Sequence, residues 1–287
     1  MAAATTEDML RENIDTGVKA VVKIEEKWKA MCSIDSSSAY IETYFRETND
    51  DDVDGGTGSA IRGISPLAPF PYVDVTETEF SSPVQKYAAE ALMSMESIAD
   101  LTIPMLQRKV YRIGRKIIYQ QDSAIHGLVA SDFGNTVAIG VGNEWDSSTI
   151  ANRDPVKDFL DGIQSLRDDG IDFLAGNGRI VLNGQDYTNV ISNSKVLNHP
   201  TFTSVSAIQN GVVSGLVGGD IVVSEITAAD SAYVLVAKQG MVWKEKLALK
   251  TSTVVTPGKS TLASAWSRGC FQLQAPNEVC KLTNTRK

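Results

Sequence analysis

Residues 102–128 read TIPMLQRKVYRIGRKIIYQQDSAIHGL. Thr102 is a good N-cap residue, and Pro104 suits the first helical turn. Ile103, Leu106, Val110, Ile113, Ile117, Ala124 and Leu128 then recur at helical intervals and form one apolar stripe. The pattern predicts a helix over 103–129, about 27 residues and roughly 40 Å long. That exceeds the average globular helix, and Gly114 costs it only about 1 kcal/mol. The same stretch holds Arg108, Lys109, Arg112, Arg115 and Lys116. Positions 108, 112 and 115 share a face, as do 109 and 116. Three arginines on one face are either solvated or meet an anion.

Upstream, the chain is acidic. Residues 1–99 carry 8 basic and 18 acidic groups, whereas residues 100–128 carry 5 basic and 2 acidic. Leu10, Ile14, Val18, Val21, Trp28 and Met31 predict an amphipathic helix over 6–31. Trp28 closes its stripe and is expected to meet another element or subunit. Residues 39–90 have almost no helical period. Tyr40, Tyr44 and Phe45 precede a glycine-rich acidic stretch, and Val73, Val75 and Phe80 alternate with polar residues after Pro66, Pro69 and Pro71. This reads as a long open hairpin unable to bury a core alone. Its segment 42–58 holds 6 acidic groups and 1 basic one.

Downstream, Asp154-Pro155 opens a helix to about Asp169, Arg179–Asn183 is a buried strand, and a short helix runs from Gly184 to Ser194. Strands are predicted over 220–226, 232–237, 241–250, 261–274 and 279–283. Helix-rich and strand-rich stretches are partly segregated, which implies an α+β fold.

Composition and motifs exclude much else. Of 287 residues, 43% are hydrophobic and 22% charged, with a net charge of −8. A globally basic nucleic-acid module is therefore not expected. Cys32, Cys270 and Cys280 form no CxxC pair and read as buried thiols. No apolar run approaches a membrane span, and no secretory leader pattern opens the sequence. Pro257-Gly-Lys-Ser260 ends like a phosphate loop, but Thr253 stands where its first glycine belongs, so a β-turn is expected. Gly140-Val-Gly142 lacks the third glycine of a dinucleotide fingerprint. Asp50, Asp52, Asp54 and Gly55 match four positions of a calcium loop, yet Ile61 replaces its closing glutamate. His126 and His199 are the two histidines, and neither has a catalytic or metal-ligating set near it in sequence. No catalytic residue, metal or cofactor is implied, and the protein is not expected to be an enzyme.

Three stretches carry a family resemblance. They are Glu96-Ser-Ile-Ala-Asp100 running into the helix through Arg115 to Ile125-His-Gly127; Gly178-Arg-Ile-Val-Leu-Asn183 followed by Asp186-Tyr187; and Gly218-Gly-Asp-Ile-Val-Val-Ser224 with Tyr233–Val236 and Gly240–Glu245. Their order resembles the major capsid protein of tailed double-stranded DNA phages and related archaeal viruses. That is the Hong Kong phage capsid fold, which encapsulin shells share. The resemblance implies an N-terminal arm (1–38), an extended loop (39–90), a peripheral domain (91–139 and 246–287) built on the spine helix, and an axial domain (140–245) facing the local five- and six-fold axes.

By that resemblance the chain self-assembles into pentamers and hexamers of an icosahedral shell that encloses viral DNA. Portal, scaffolding or decoration proteins are its further partners, DNA lies in non-specific proximity, no membrane is involved, and the location is a virion capsid assembled in host cytoplasm. An encapsulin-type compartment is the alternative of the same fold, and a calcium-dependent binding module the alternative of another class. Arg108, Arg112 and Arg115 are expected to form an interior or intersubunit polar face. Asp50, Asp51, Asp52 and Asp54 are expected at an intersubunit loop tip. A neighbour's carboxylates are the favoured anion, because a chain of net −8 gains little from general attraction to DNA.

Overall fold

The computed structural model of the chain describes residues 26–47, 77–94, 104–174, 177–197 and 217–287. In chain order the strands are β1 (Ser33–Ser36), β2 (Ile41–Glu47), β3 (Glu77–Pro83), β4 (Gln85–Ser94), β5 (Asn135–Ala138), β6 (Gly178–Leu182), β7 (Asp220–Val223), β8 (Ser231–Val236), β9 (Met241–Thr256), β10 (Ser260–Leu273) and β11 (Val279–Thr283). The long helix spans Pro104–Ser131, between β4 and β5. Contacts divide the chain into two compact units. One is Met1–Glu42, Ser82–Gly127 and Trp243–Gln272, and the other is Thr43–Ser81, Leu128–Val242 and Leu273–Lys287.

The first unit holds a four-stranded sheet of order β1-β9-β10-β4. β10 and β4 are antiparallel, with Arg268 opposite Lys86 and Leu262 opposite Leu92. β9 turns into β10 at Thr256–Ser260, where Lys259 N–H donates to the Thr256 carbonyl at 3.1 Å and Gly258 takes φ 71°. This is the β-turn expected in place of a phosphate loop. β10 alternates in burial, and its inward residues Thr261, Ala263, Ala265 and Ser267 are small. Small side chains let the long helix approach closely, so Ile113 and Ile117 pack with Met93, Ala263 and Ala265. Burying each such isoleucine contributes about 1.5–3 kcal/mol.

The helix stripe departs from its sequence reading halfway along. Ile113 and Ile117 are buried as expected, but Ile125 and Val129 are fully buried where Ala124 and Leu128 were expected. Gln121 and Asp122 are also buried, at 2% and 1% exposure. Gln121 donates its amide to the Ser267 hydroxyl at 2.8 Å, a long-range partner that hydropathy cannot show.

The predicted arm helix requires a correction in its described part. Residues 1–25 lie outside the described residues. Beyond them the helical period gives way to a single 3-10 turn, Lys29–Met31, and then β1. Trp28 is fully buried and meets His126 edge-on at 5.2 Å between ring centroids. It therefore belongs to the chain's own core. His126, half-buried, packs against it on the long helix.

The second unit holds a mixed five-stranded sheet, β5-β11-β8-β6-β7. β8 lies at its centre, antiparallel to both β11 and β6, and all six of its residues are buried. The flanking pairs β5–β11 and β6–β7 are parallel. The helix Pro155–Asp168 covers this sheet. Asp154 caps it as its sequence suggests, accepting from Lys157 N–H at 3.3 Å. Phe159, Ile163 and Leu166 join Val234 and Leu282 in one core. Gly162 permits the close approach, since a Cβ there would lie 3.2 Å from both Leu282 and Val234. The resemblance places 246–287 in one peripheral domain. The register divides it instead, because β11 completes the second unit's sheet while β10 pairs with β4 in the first.

β2 and β3 form a separate two-stranded ribbon, consistent with the predicted hairpin.

Candidate functional site

The base of the ribbon is built around one arginine. Tyr44 on β2 stacks on Phe80 of β3 with centroids 5.8 Å apart. Arg46, 6% exposed, lies with its guanidinium 4.1 Å from the centroid of Phe80. Its Nε donates to the Leu273 carbonyl at 2.7 Å, and its terminal nitrogen donates to the Tyr44 hydroxyl at 3.1 Å and to Asp132 Oδ2 at 3.0 Å. Asp132 directly follows the long helix, so the ribbon starts from a base fixed to the helix end. In sequence Arg46 stands out only as the lone cation of the acidic segment 42–58. No local pattern links it to residues 132 and 273.

A second anchor holds residues 26–29. The buried Asp122 carboxylate accepts the backbone N–H groups of Lys27 at 3.0 Å and Lys29 at 2.9 Å. Burial holds its pKa above the ordinary carboxylate value, against the lowering effect of those amides. The Lys29 ammonium lies 3.3 Å from Glu245, 3.5 Å from Glu26 and 5.3 Å from the centroid of Trp243. Burial likewise raises the pKa of Glu26.

The arginines singled out in the sequence lie on the long helix. Arg112 and Arg115 are exposed, with Lys116 beside them and Tyr111 and Tyr119 at either end. The Arg115 guanidinium sits 5.5 Å from the Tyr111 centroid. The Arg108 side chain lies outside the described atoms. Lys109 is turned to the sheet edge and donates to the Leu92 carbonyl at 2.9 Å, so it does not share the open face with Lys116. Asp50, Asp51, Asp52 and Asp54 lie outside the described residues. β2, which precedes them, is a strand where a calcium loop requires an incoming helix.

The remaining motifs have structural explanations. Gly142 takes φ 90° in a turn, and its N–H donates to both carboxylate oxygens of Glu144 at 3.0 Å. These backbone bonds hold the Glu144 pKa below its usual value. Cys32, Cys270 and Cys280 are buried and unpaired, and burial raises each thiol pKa, that of Cys280 to about 11. Such thiols are poor nucleophiles at neutral pH. His199 lies outside the described residues. Among the described residues no three potential ligands gather to hold a metal, and no helix is long and apolar enough to cross a membrane.

With the two sheets, the ribbon and the long helix in view, solved structures supply the comparison. A capsid structure of the cyanophage P-SCSP1u matches at 13% identity and TM-score 0.67, covering 90% of this chain and 88% of that one. The capsid of a native GTA particle matches at 13% identity and TM-score 0.65, covering 90% and 89%. A virus-like particle from Pyrococcus furiosus matches at 10% identity and TM-score 0.63, covering 94% and 98%. No protein-family model matches the sequence, and no curated protein matches it. The chain has the Hong Kong phage capsid fold, in its α+β form with a ribbon, a long helix and two sheets.

Proposed function

We propose that this chain is the shell-forming subunit of a tailed double-stranded DNA virus, a major capsid protein that assembles into pentamers and hexamers of an icosahedral container. The observation that carries this reading is near-complete coverage, in both directions, by particle-forming proteins of the same fold. The physical logic agrees. One face of the ribbon is buried through Tyr44 and Arg46, but Ile41 and Phe45 on the other are 60% and 56% exposed and have no sheet or helix of the described residues over them. Repetition of such contacts under symmetry closes a shell.

In this reading 140–245, with β11 paired into its sheet, faces the five- and six-fold axes, and the first unit's sheet and long helix form the periphery. Arg108, Arg112 and Arg115 form an interior or intersubunit polar face, and Asp50, Asp51, Asp52 and Asp54 an intersubunit loop tip. Portal, scaffolding or decoration proteins complete the particle, which assembles in host cytoplasm around DNA. The role is structural rather than enzymatic.

The likeness to the Pyrococcus furiosus virus-like particle supports a second reading, an encapsulin-type compartment. Electron microscopy of the purified chain tests both. Closed icosahedral particles are expected, and their absence across assembly conditions overturns both readings. Nucleic acid inside the particles, read from the absorbance ratio, favours the virus, and co-purifying protein cargo favours the compartment.

A further inference from the structure

We propose that the open face of the long helix between Tyr111 and Tyr119 binds the phosphodiester backbone of nucleic acid without regard to sequence, with Arg112, Arg115 and Lys116 as its contacts. The identity of the polyanion rests on the shell reading above.

The face has a single sign of charge. From Pro104 to Gln121 the helix carries no carboxylate, and its first acidic residue, Asp122, is buried and bound to the amides of Lys27 and Lys29. Arg112 and Lys116 stand one turn apart, and among the described residues neither has an ion-pair or hydrogen-bond partner. Arg115 stacks on Tyr111. Cations this close repel each other unless an anion is supplied from outside.

The neighbouring residues decide what kind of anion. The exposed side chains from 111 to 120 are Tyr111, Arg112, Arg115, Lys116, Tyr119 and Gln120. None is aliphatic. Protein–protein interfaces share the enrichment in tyrosine and arginine but have an apolar centre depleted of lysine, which three clustered cations do not supply. Protein–nucleic acid interfaces are polar, wet and strongly positive. Exposed aliphatic groups lie elsewhere on the chain, among them Leu92, 62% exposed on the outer face of the first unit's sheet, and Val141, Ile150 and Leu174 in the second unit. The net charge of −8 is a sum over the whole chain, whereas phosphates at this face meet only its local cations. The expectation of a neighbour's carboxylates here is thereby reversed.

The test uses full-chain protein kept as unassembled subunits, with a fluorescein-labelled duplex of random sequence titrated at several salt concentrations. The Arg112→Gln/Lys116→Gln variant alters two exposed side chains, and circular dichroism checks that it folds. It is expected to reduce the slope of log affinity against log salt by about 2. Affinity near 0.1 M salt should fall by roughly tenfold to a hundredfold. Lys86→Gln/Arg268→Gln removes the same charge from the sheet's outer face and is expected to leave the slope unchanged.

An unchanged slope in the helix variant overturns the proposal, as does an equal loss in the sheet variant, which would reduce the effect to net charge. Wild type that ignores the duplex but binds a peptide of residues 47–58 through these two side chains also overturns it, and gives the face to a neighbour. Microscopy of the same proteins after assembly keeps the shell reading separate: closed wild-type particles without duplex binding refute this inference alone.

Discussion

Arg46 and Asp132 meet at 3.0 Å across 86 residues of sequence, joining the root of an exposed ribbon to the end of the long helix. The Arg46 side chain is 8% exposed and that of Asp132 32%. The same guanidinium also holds the Leu273 carbonyl and covers Phe80. A cation so enclosed holds the ribbon's base to the helix end and to Leu273 within the second unit.

Arg46→Met is expected to destabilise the chain by about 3 kcal/mol, the lower end for a broken buried pair because Asp132 is partly solvated. Arg46→Lys should recover little, since an ammonium cannot serve the carbonyl and the carboxylate in one plane while stacking on Phe80. Urea midpoints of the subunits measure this. A lysine variant as stable as wild type would mean that charge alone matters at the site.

Trp28→Ala is expected to cost about 3–5 kcal/mol of subunit stability, the usual penalty for truncating a buried aromatic. Subunit melting reads the effect before any assembly occurs. A variant that melts like wild type yet fails to assemble would place Trp28 at an interface after all.

Asp186 gives a pH dependence of defined sign. It is fully buried, with Arg286 Nε at 2.9 Å and the Thr285 hydroxyl at 3.3 Å. Burial raises its pKa from 3.8 to about 6, although Arg286 and Thr285 pull it down. The folded state thus holds this proton more tightly than the unfolded state does. The resulting stability is fully present below about pH 3.8 and is lost as pH rises through about 6. Glu26, Asp122, Asp158 and Glu278 shift in the same direction, so Asp186→Asn is needed to isolate its share. Between pH 4 and 7 wild type should lose more stability than the variant. Equal losses, by denaturant titration at each pH, would remove Asp186 from the account.

Changing Asp50, Asp51, Asp52 and Asp54 together to asparagine is expected, on the loop-tip proposal, to leave subunit stability within about 0.5 kcal/mol of wild type. Assembly yield, followed by sedimentation, should fall. Calcium should show no saturable heat of binding to either protein by calorimetry. Normal particles from the variant would dismiss the loop-tip role, and a calcium site lost in the variant would revive the binding-module reading.

Periodicity alone decided the secondary structure of much of the chain. The 3.6-residue stripe marked the long helix, observed at Pro104–Ser131, and Asp154-Pro155 marked the start of the next helix through cap chemistry that acts within one turn. The strand predicted over 279–283 is observed at Val279–Thr283. These are short-range signals, written where they act. Sequence also supplied Arg112 and Arg115 as a shared face, because helical spacing fixes which side chains are neighbours. It could not show that Lys109 would turn to the Leu92 carbonyl, that Asp122 would bind the amides of Lys27 and Lys29, or that Arg46 would reach Asp132 and Leu273. Nor could it show that β11 would leave the strands preceding it and join β5 and β8. Those partners lie tens to hundreds of residues apart. A polar side chain looks the same in sequence whether water or a distant carbonyl satisfies it, and only the tertiary structure, by excluding the water, decides which.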